Sequence, residues 1–302
     1  MKIESEALAA VVIPEHGAKL ASLRSLSSGR EFLFQRPGVK YRRSSYDSDY
    51  LAGECSGFDE VCPTVLEYFY DREPWKGIRI PDHGEVWALP WSCETDSESL
   101  DLSVRGVRLP YQLRKRITLA EPDCLRISYE LTNETAFPID FIWCAHIMLE
   151  AEKGCRIAGP RDMGRCVATM SESGAIGAWG EEFDYPVTPL KDGSSYDASL
   201  HRGADADDYQ KFFFKGRVPE GRAGLEYPDG HVLTVSFPER EVPCFAAIQA
   251  EGGKLGIRCV FLEPSTAAFD RPDLARLKGL NSVLPPKGRL VWHLGLRVTL
   301  PS

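Results

Sequence analysis

No stretch of this 302-residue chain approaches the roughly 18 consecutive apolar residues that a membrane-crossing helix requires. The opening segment Met1 to Glu6 is acidic where a secretory leader needs a basic region followed by an apolar one. Basic residues are in deficit, 36 Lys and Arg against 44 Asp and Glu, for a formal charge of -8. That balance argues against a nucleic-acid partner, whose phosphates are gripped by clustered Lys and Arg, and the short run Lys40-Tyr41-Arg42-Arg43 does not overturn it. Nine cysteines, an odd number with no C-x-x-C pair, speak against both a disulfide framework and a zinc site. Helical periodicity of useful length is missing, and so is any repeat of 20 to 50 residues. What these absences leave is a cytoplasmic chain with reduced thiols, without a membrane or nucleic-acid partner, suited to a small neutral ligand.

What is present is alternation. From Leu125 to Leu131 odd positions are apolar and even ones polar, the pattern of a half-buried strand. The segment from Leu290 to Leu300 puts Leu290, Trp292, Leu294, Leu296, Val298 and Leu300 on one face, with His293, Arg297 and Thr299 on the other. Leu113 to Leu119 alternates as well. Gly224 to Phe237 reads as two strands joined through Pro228-Asp229-Gly230. Many short strands punctuated by Gly, Pro and Asn predict an all-β protein, a large antiparallel sandwich in one domain over residues 1–302. Its 43% hydrophobic content is ample for the core. Two stretches, Arg36 to Asp82 and Ser171 to Asp208, lack periodicity and read as long binding loops or lids.

Glu263 follows the apolar run Val260-Phe261-Leu262 and precedes Pro264. A carboxylate at the end of such a strand, stiffened by proline, suits a fixed general base; otherwise it is an acid at a solvated strand end. His83, in Pro81-Asp82-His83-Gly84, sits at a constrained turn and reads either as a cleft histidine or as a surface one bonded to Asp82. His146 lies in the apolar segment Phe141 to Leu149, where its two ring nitrogens need partners, from the backbone or from a ligand. Asp59 and Glu60 are paired acids beside a glycine turn, suited to gripping vicinal hydroxyls, although adjacent acids more often form a solvated turn. Lys211 enters the aromatic run Phe212-Phe213-Phe214 as a ligand contact or a snorkelling lysine. His16, His201, His231 and His293 read as structural or surface residues. No metal is indicated, because the histidines and Glu263 lack the close spacing of a ligand set, and no cofactor is called for.

The ordered set Asp82-His83-Gly84 with Trp87, Trp143 with His146, and Glu263-Pro264-Ser265-Thr266 resembles the aldose 1-epimerase, or galactose mutarotase-like, superfamily. Asn281 with Leu284-Pro285-Pro286-Lys287-Gly288 is similar to that family's turn before its last strands. The resemblance spans nearly the whole chain and implies a β-supersandwich. It also implies a cofactor-free isomerase of aldoses, in which Glu263 takes the proton of the anomeric hydroxyl. His146 would give one to the ring oxygen, and His83 would bond the sugar. The chain departs from the family at His146-Ile147-Met148-Leu149, where members acting on galactose or glucose carry a His-Ser-Tyr-Phe-Asn type of stretch. The family's sugar-binding aspartate has no clear counterpart, Asp59 competing with Asp205, Asp207 and Asp208. Arg42, Arg43 and Arg79 leave a phosphorylated sugar open. Two other activities fit the same superfold: carbohydrate binding without catalysis, and polysaccharide cleavage by a lyase or hydrolase.

Overall fold

The computed structural model describes residues 1–96, 98–253 and 255–301. Its strands build two large antiparallel sheets. The first has ten strands, with Phe58–Val61, Cys144–Leu149, Ile257–Ser265, Cys244–Gly252 and Tyr209–Phe214 side by side at its centre. The second has eight and is centred on Tyr111–Glu121, Cys124–Asn133 and Arg289–Thr299, the segments whose alternation predicts them. The Pro-Asp-Gly hairpin forms as expected, joining Arg222–Glu226 to Val232–Ser236.

Between the sheets lies the main core, to which each central strand contributes alternate residues. Ala145, Ile147 and Leu149 point inward from one strand, Val260 and Leu262 from the next, and Phe212 and Phe214 from a third. Trp143, Tyr129 and Trp292 fill the middle, with the Tyr129 and Trp292 rings stacked 5.1 Å apart. These central strands are buried on both faces. Their other face carries a second apolar cluster that includes Met148, Ile248, Cys259 and Phe261, together with every catalytic candidate that lies on a strand.

The two stretches without periodicity are not plain loops. Arg36 to Asp82 includes the strands Phe58–Val61, Tyr68–Phe69 and Arg79–Ile80, and Ser171 to Asp208 includes three strands of three residues each. Strands this short do not show a period of two. Asp59 and Glu60 therefore stand on a central strand, fully buried, and not in a solvated turn. The one α-helix among the described residues is the six-residue Pro272–Leu277, and no helix is long and apolar enough to cross a membrane. Eight cysteines are buried, Cys93 is partly exposed, and all nine are free thiols.

Candidate active site

Strand register assembles the site. Asp59 stands opposite His146. On the other side, Cys144 opposite Ser265 and Ile147 opposite Leu262 keep one register, which sets His146 across from Glu263. Glu263 in turn faces Ala246. One pleat row thus runs Asp59, His146, Glu263, Ala246, all on the face turned away from the second sheet. Pro264 has no N–H to give, and the ladder between the His146 and Glu263 strands skips the pairs at this point.

Nε2 of His146 lies 3.3 Å from Oε1 of Glu263, and Nζ of Lys211 lies 3.0 Å from Oε2. Lys211 reaches diagonally over the intervening strand, where Ala246 is small enough to leave room. Its ammonium also meets Oδ1 of Asp270 at 2.8 Å. Glu263 is only 1% exposed, yet neither of its oxygens is held by a well-aligned hydrogen bond among the described residues. A buried carboxylate is costly unless it is paired, and the Lys211 ammonium at 3.0 Å supplies that pairing.

Burial pushes the Glu263 carboxyl upward, an effect the Lys211 charge opposes and Asp270 reinforces. Burial also holds His146 well below the ordinary histidine range, helped by His83 and Lys211. For Lys211, burial acts against the charge, but Asp270 and Glu263 outweigh it and keep its pKa well above the ordinary value. The imidazole and the carboxylate are therefore driven toward each other in proton affinity, so that a proton can pass through either.

His83 comes from the loop after Arg79–Ile80 and takes left-handed backbone geometry, φ 56°, with its N–H donated to the Val65 carbonyl at 2.6 Å. Its Nδ1 meets Asp82 at 2.7 Å, and its ring stands edge-on to His146 with centroids 5.2 Å apart. The next residue must be glycine: at φ 69° a Cβ on Gly84 would lie 2.2 Å from the Cys62 carbonyl oxygen.

The structure thus brings Glu263, His146, His83 and Lys211 together. Asp59 shares their face but is sealed from solvent, with Lys19 at 2.5 Å and the Tyr50 hydroxyl at 2.9 Å on Oδ2. Glu60 corrects the expectation of a sugar contact, because the next residue on a strand points the opposite way. Its carboxylate sits between the sheets, taking Lys115 at 2.9 Å, the Tyr129 hydroxyl at 2.9 Å and the Trp143 indole N–H at 2.8 Å. Asp208 is engaged by Arg202, Gln210 and Ser173. Arg79 is committed to Asp47 and Glu67, whereas Arg42 and Arg43 are exposed. Sequence reasoning missed Tyr50 and Asp270. Tyr50 lies in a stretch without periodicity, and Asp270 is set by a left-handed turn, φ 63°, whose carbonyl accepts the Val65 and Leu66 N–H groups.

No protein-family model and no curated protein matches the chain. Solved structures do. The Slr1438 protein of Synechocystis sp. PCC 6803 aligns with a TM-score of 0.70 at 15% identity, over 99% of this chain and 96% of that one. A protein of Escherichia coli K12 provisionally named an aldose 1-epimerase aligns at 0.68 and 19% identity, over 99% and 98%. A galactose mutarotase related enzyme of Lactobacillus acidophilus gives 0.66 and 15%, over 100% and 98%. The chain has the galactose mutarotase-like fold.

Proposed function

We propose that this protein interconverts the α and β anomers of an aldose or sugar derivative. The observation that carries the reading is the pair His146 and Glu263, side by side at 3.3 Å in a buried setting, with the Lys211 ammonium 3.0 Å from the other carboxylate oxygen. The two oxygens on an anomeric carbon are a matching pair, one a hydroxyl that gives a proton and the other a ring oxygen that takes one.

Glu263 accepts the proton of the anomeric hydroxyl as the carbonyl forms, and the bond from the anomeric carbon to the ring oxygen breaks with its electrons on that oxygen. His146 protonates the oxygen, giving the open-chain aldehyde. Rotation about the bond next to the carbonyl and reclosure on the other face invert the centre, with acid and base exchanging roles. His83, edge-on to His146, bonds the sugar and stabilises charge on the ring oxygen. The pair as a whole ends each step with the proton count it began with, so the chemistry calls for no cofactor. The Lys211 ammonium, 3.0 Å from Oε2, opposes the upward push of burial on Glu263 and so keeps the carboxylate ionised and ready to accept a proton.

The test is NMR exchange or polarimetry on freshly dissolved free and phosphorylated monosaccharides. Anomer exchange should accelerate with the protein, and Glu263→Gln should lower kcat by about 100- to 10,000-fold. Sugar binding with no rate change for any of them would leave a carbohydrate-binding role in its place.

A further inference from the structure

We propose that Tyr50 is a positioning residue of this site: held between Asp59 and His146, its hydroxyl fixes the hydrogen of His146 on Nδ1 and so leaves Nε2 to exchange a proton with the sugar. The inference rests on the proton-exchange reading above and adds to it the group that determines which nitrogen reacts.

The argument is one of donors and acceptors. The Tyr50 oxygen lies 2.9 Å from Oδ2 of Asp59 and 3.0 Å from Nδ1 of His146. A phenol has one hydrogen and can serve only one of them as donor. Lys19 stands 2.5 Å from the same Asp59 oxygen and also bonds the Ser56 carbonyl at 2.7 Å, so the aspartate is a carboxylate in an ion pair and can only accept. The phenol hydrogen therefore goes to Asp59. Its lone pair faces Nδ1, and that nitrogen must carry a hydrogen to fill the contact. The chain runs from the Lys19 ammonium to the Asp59 carboxylate, the Tyr50 hydroxyl and the Nδ1–H of His146. The far nitrogen, Nε2, is the one beside Glu263. Burial and the neighbouring Asp59 raise the Tyr50 pKa well above that of a free phenol, so the hydroxyl keeps its hydrogen.

Geometry holds the hydroxyl in place independently of that chain. The Tyr50 ring lies flat on the His83 imidazole, with centroids 3.9 Å apart and planes 8° from parallel, and edge-on to Trp87 at 4.9 Å. The segment that carries it is pinned by the Tyr46 hydroxyl on Glu85 at 2.8 Å and by Asp47 against Arg79 and Arg108. One side chain thus touches both histidines of the proposed site, stacking on one and hydrogen-bonding the other.

The proton inventory follows. On ring opening one proton passes from Nε2 to the ring oxygen and one from the anomeric hydroxyl to Glu263, while the Nδ1 hydrogen stays where Tyr50 holds it. When Nε2 carries a proton the ring is an imidazolium, and the Asp59 carboxylate stabilises that charge through the phenol. Without the hydroxyl, the neutral ring is free to carry its hydrogen on Nε2, and donation from that form would leave an imidazolate. A histidine held in the wrong tautomer is a poor proton carrier even when every distance is right.

Tyr50→Phe keeps the ring and its stack and removes only the oxygen. In the full-length protein labelled with 15N-histidine, NMR at neutral pH should show His146 with hydrogen on Nδ1 in the wild type and a shift toward the Nε2–H form in the variant. Anomer exchange of α-D-glucose and α-D-galactose should lose about 10- to 1,000-fold in kcat with KM little changed. A wild-type His146 with its hydrogen on Nε2 overturns the proposal, as does a variant with unchanged tautomer and kcat. The wild-type tautomer decides the matter even if the variant fails to fold. A wild type that accelerates no sugar refutes the function proposed above, whereas the tautomer measurement needs no substrate and judges Tyr50 separately.

Discussion

His146 and Glu263 face each other from adjacent strands, Nε2 to Oε1 at 3.3 Å, because the register that pairs Ile147 with Leu262 also sets these two across from one another. The relationship is a cross-strand pair, the unit in which sheets place side chains, and the function proposed above assigns proton transfer to it. It needs no loop to close and no helix to deliver a residue. The sheet itself fixes the distance, and burial on both faces of the strands shifts the two groups toward each other in proton affinity.

Those shifts make stability depend on pH in opposite senses. The folded pKa of His146 lies well below the ordinary 6.5, so the unfolded chain protonates first. Its contribution is intact above about 6.5 and is lost as pH falls from there toward the folded value. Glu263 is raised above the ordinary 4.5, so its contribution is intact below that value and is lost as pH rises through the folded one. Urea unfolding between pH 7 and pH 5 should show His146→Gln losing about 1 kcal/mol less stability than the wild type over that interval. Parallel pH dependences would assign the acid sensitivity to another group.

Lys211 joins two buried carboxylates, Glu263 and Asp270. Lys211→Met leaves both uncompensated and should cost about 3–5 kcal/mol in urea unfolding, most of it recovered by adding Asp270→Asn. In the folded variant the lost positive charge raises the Glu263 pKa further. The acid limb of kcat against pH, where the base becomes protonated, should therefore move to higher pH. An unmoved limb would mean that Lys211 supports the structure without tuning the base.

The two large sheets were legible because alternation over seven to eleven residues, as in Leu125 to Leu131 or Leu290 to Leu300, has one physical meaning. The candidates Glu263 and His146 were legible because each is a lone polar group in an apolar strand. Glu60 was misread because a fully buried acid looks, in sequence, like an exposed one until its partners are known, and those come from residues 115, 129 and 143. Tyr50 left no local signal at all. Its partners Asp59, His83 and His146 are brought to it by tertiary folding, and its own segment has no regular period.

Gly84 lets the chain turn back directly after His83, with both residues at positive φ and the Cys62 carbonyl in the way of any Cβ. Gly84→Ala should destabilise by about 1–3 kcal/mol and displace the His83 imidazole, which Tyr50 stacks upon. Steady-state kinetics should then show KM rising together with a fall in kcat, and thermal unfolding should show the lower Tm. A variant of wild-type KM would remove His83 from the sugar-binding role.

Glu60 ties the two sheets together, with Lys115 and Tyr129 from one and Trp143 beside the other converging on a single carboxylate. Removing one partner strands a buried charge, so Glu60→Gln and Lys115→Met should each cost about 3–5 kcal/mol in denaturant unfolding. The double variant should cost less than the sum, since neither charge is then left alone. KM and kcat of the folded single variants should stay within about twofold of the wild type, because the carboxylate points away from the His146 face. A KM raised tenfold or more at unchanged fold would return Glu60 to the sugar and show that this face of the strand is reached by ligand.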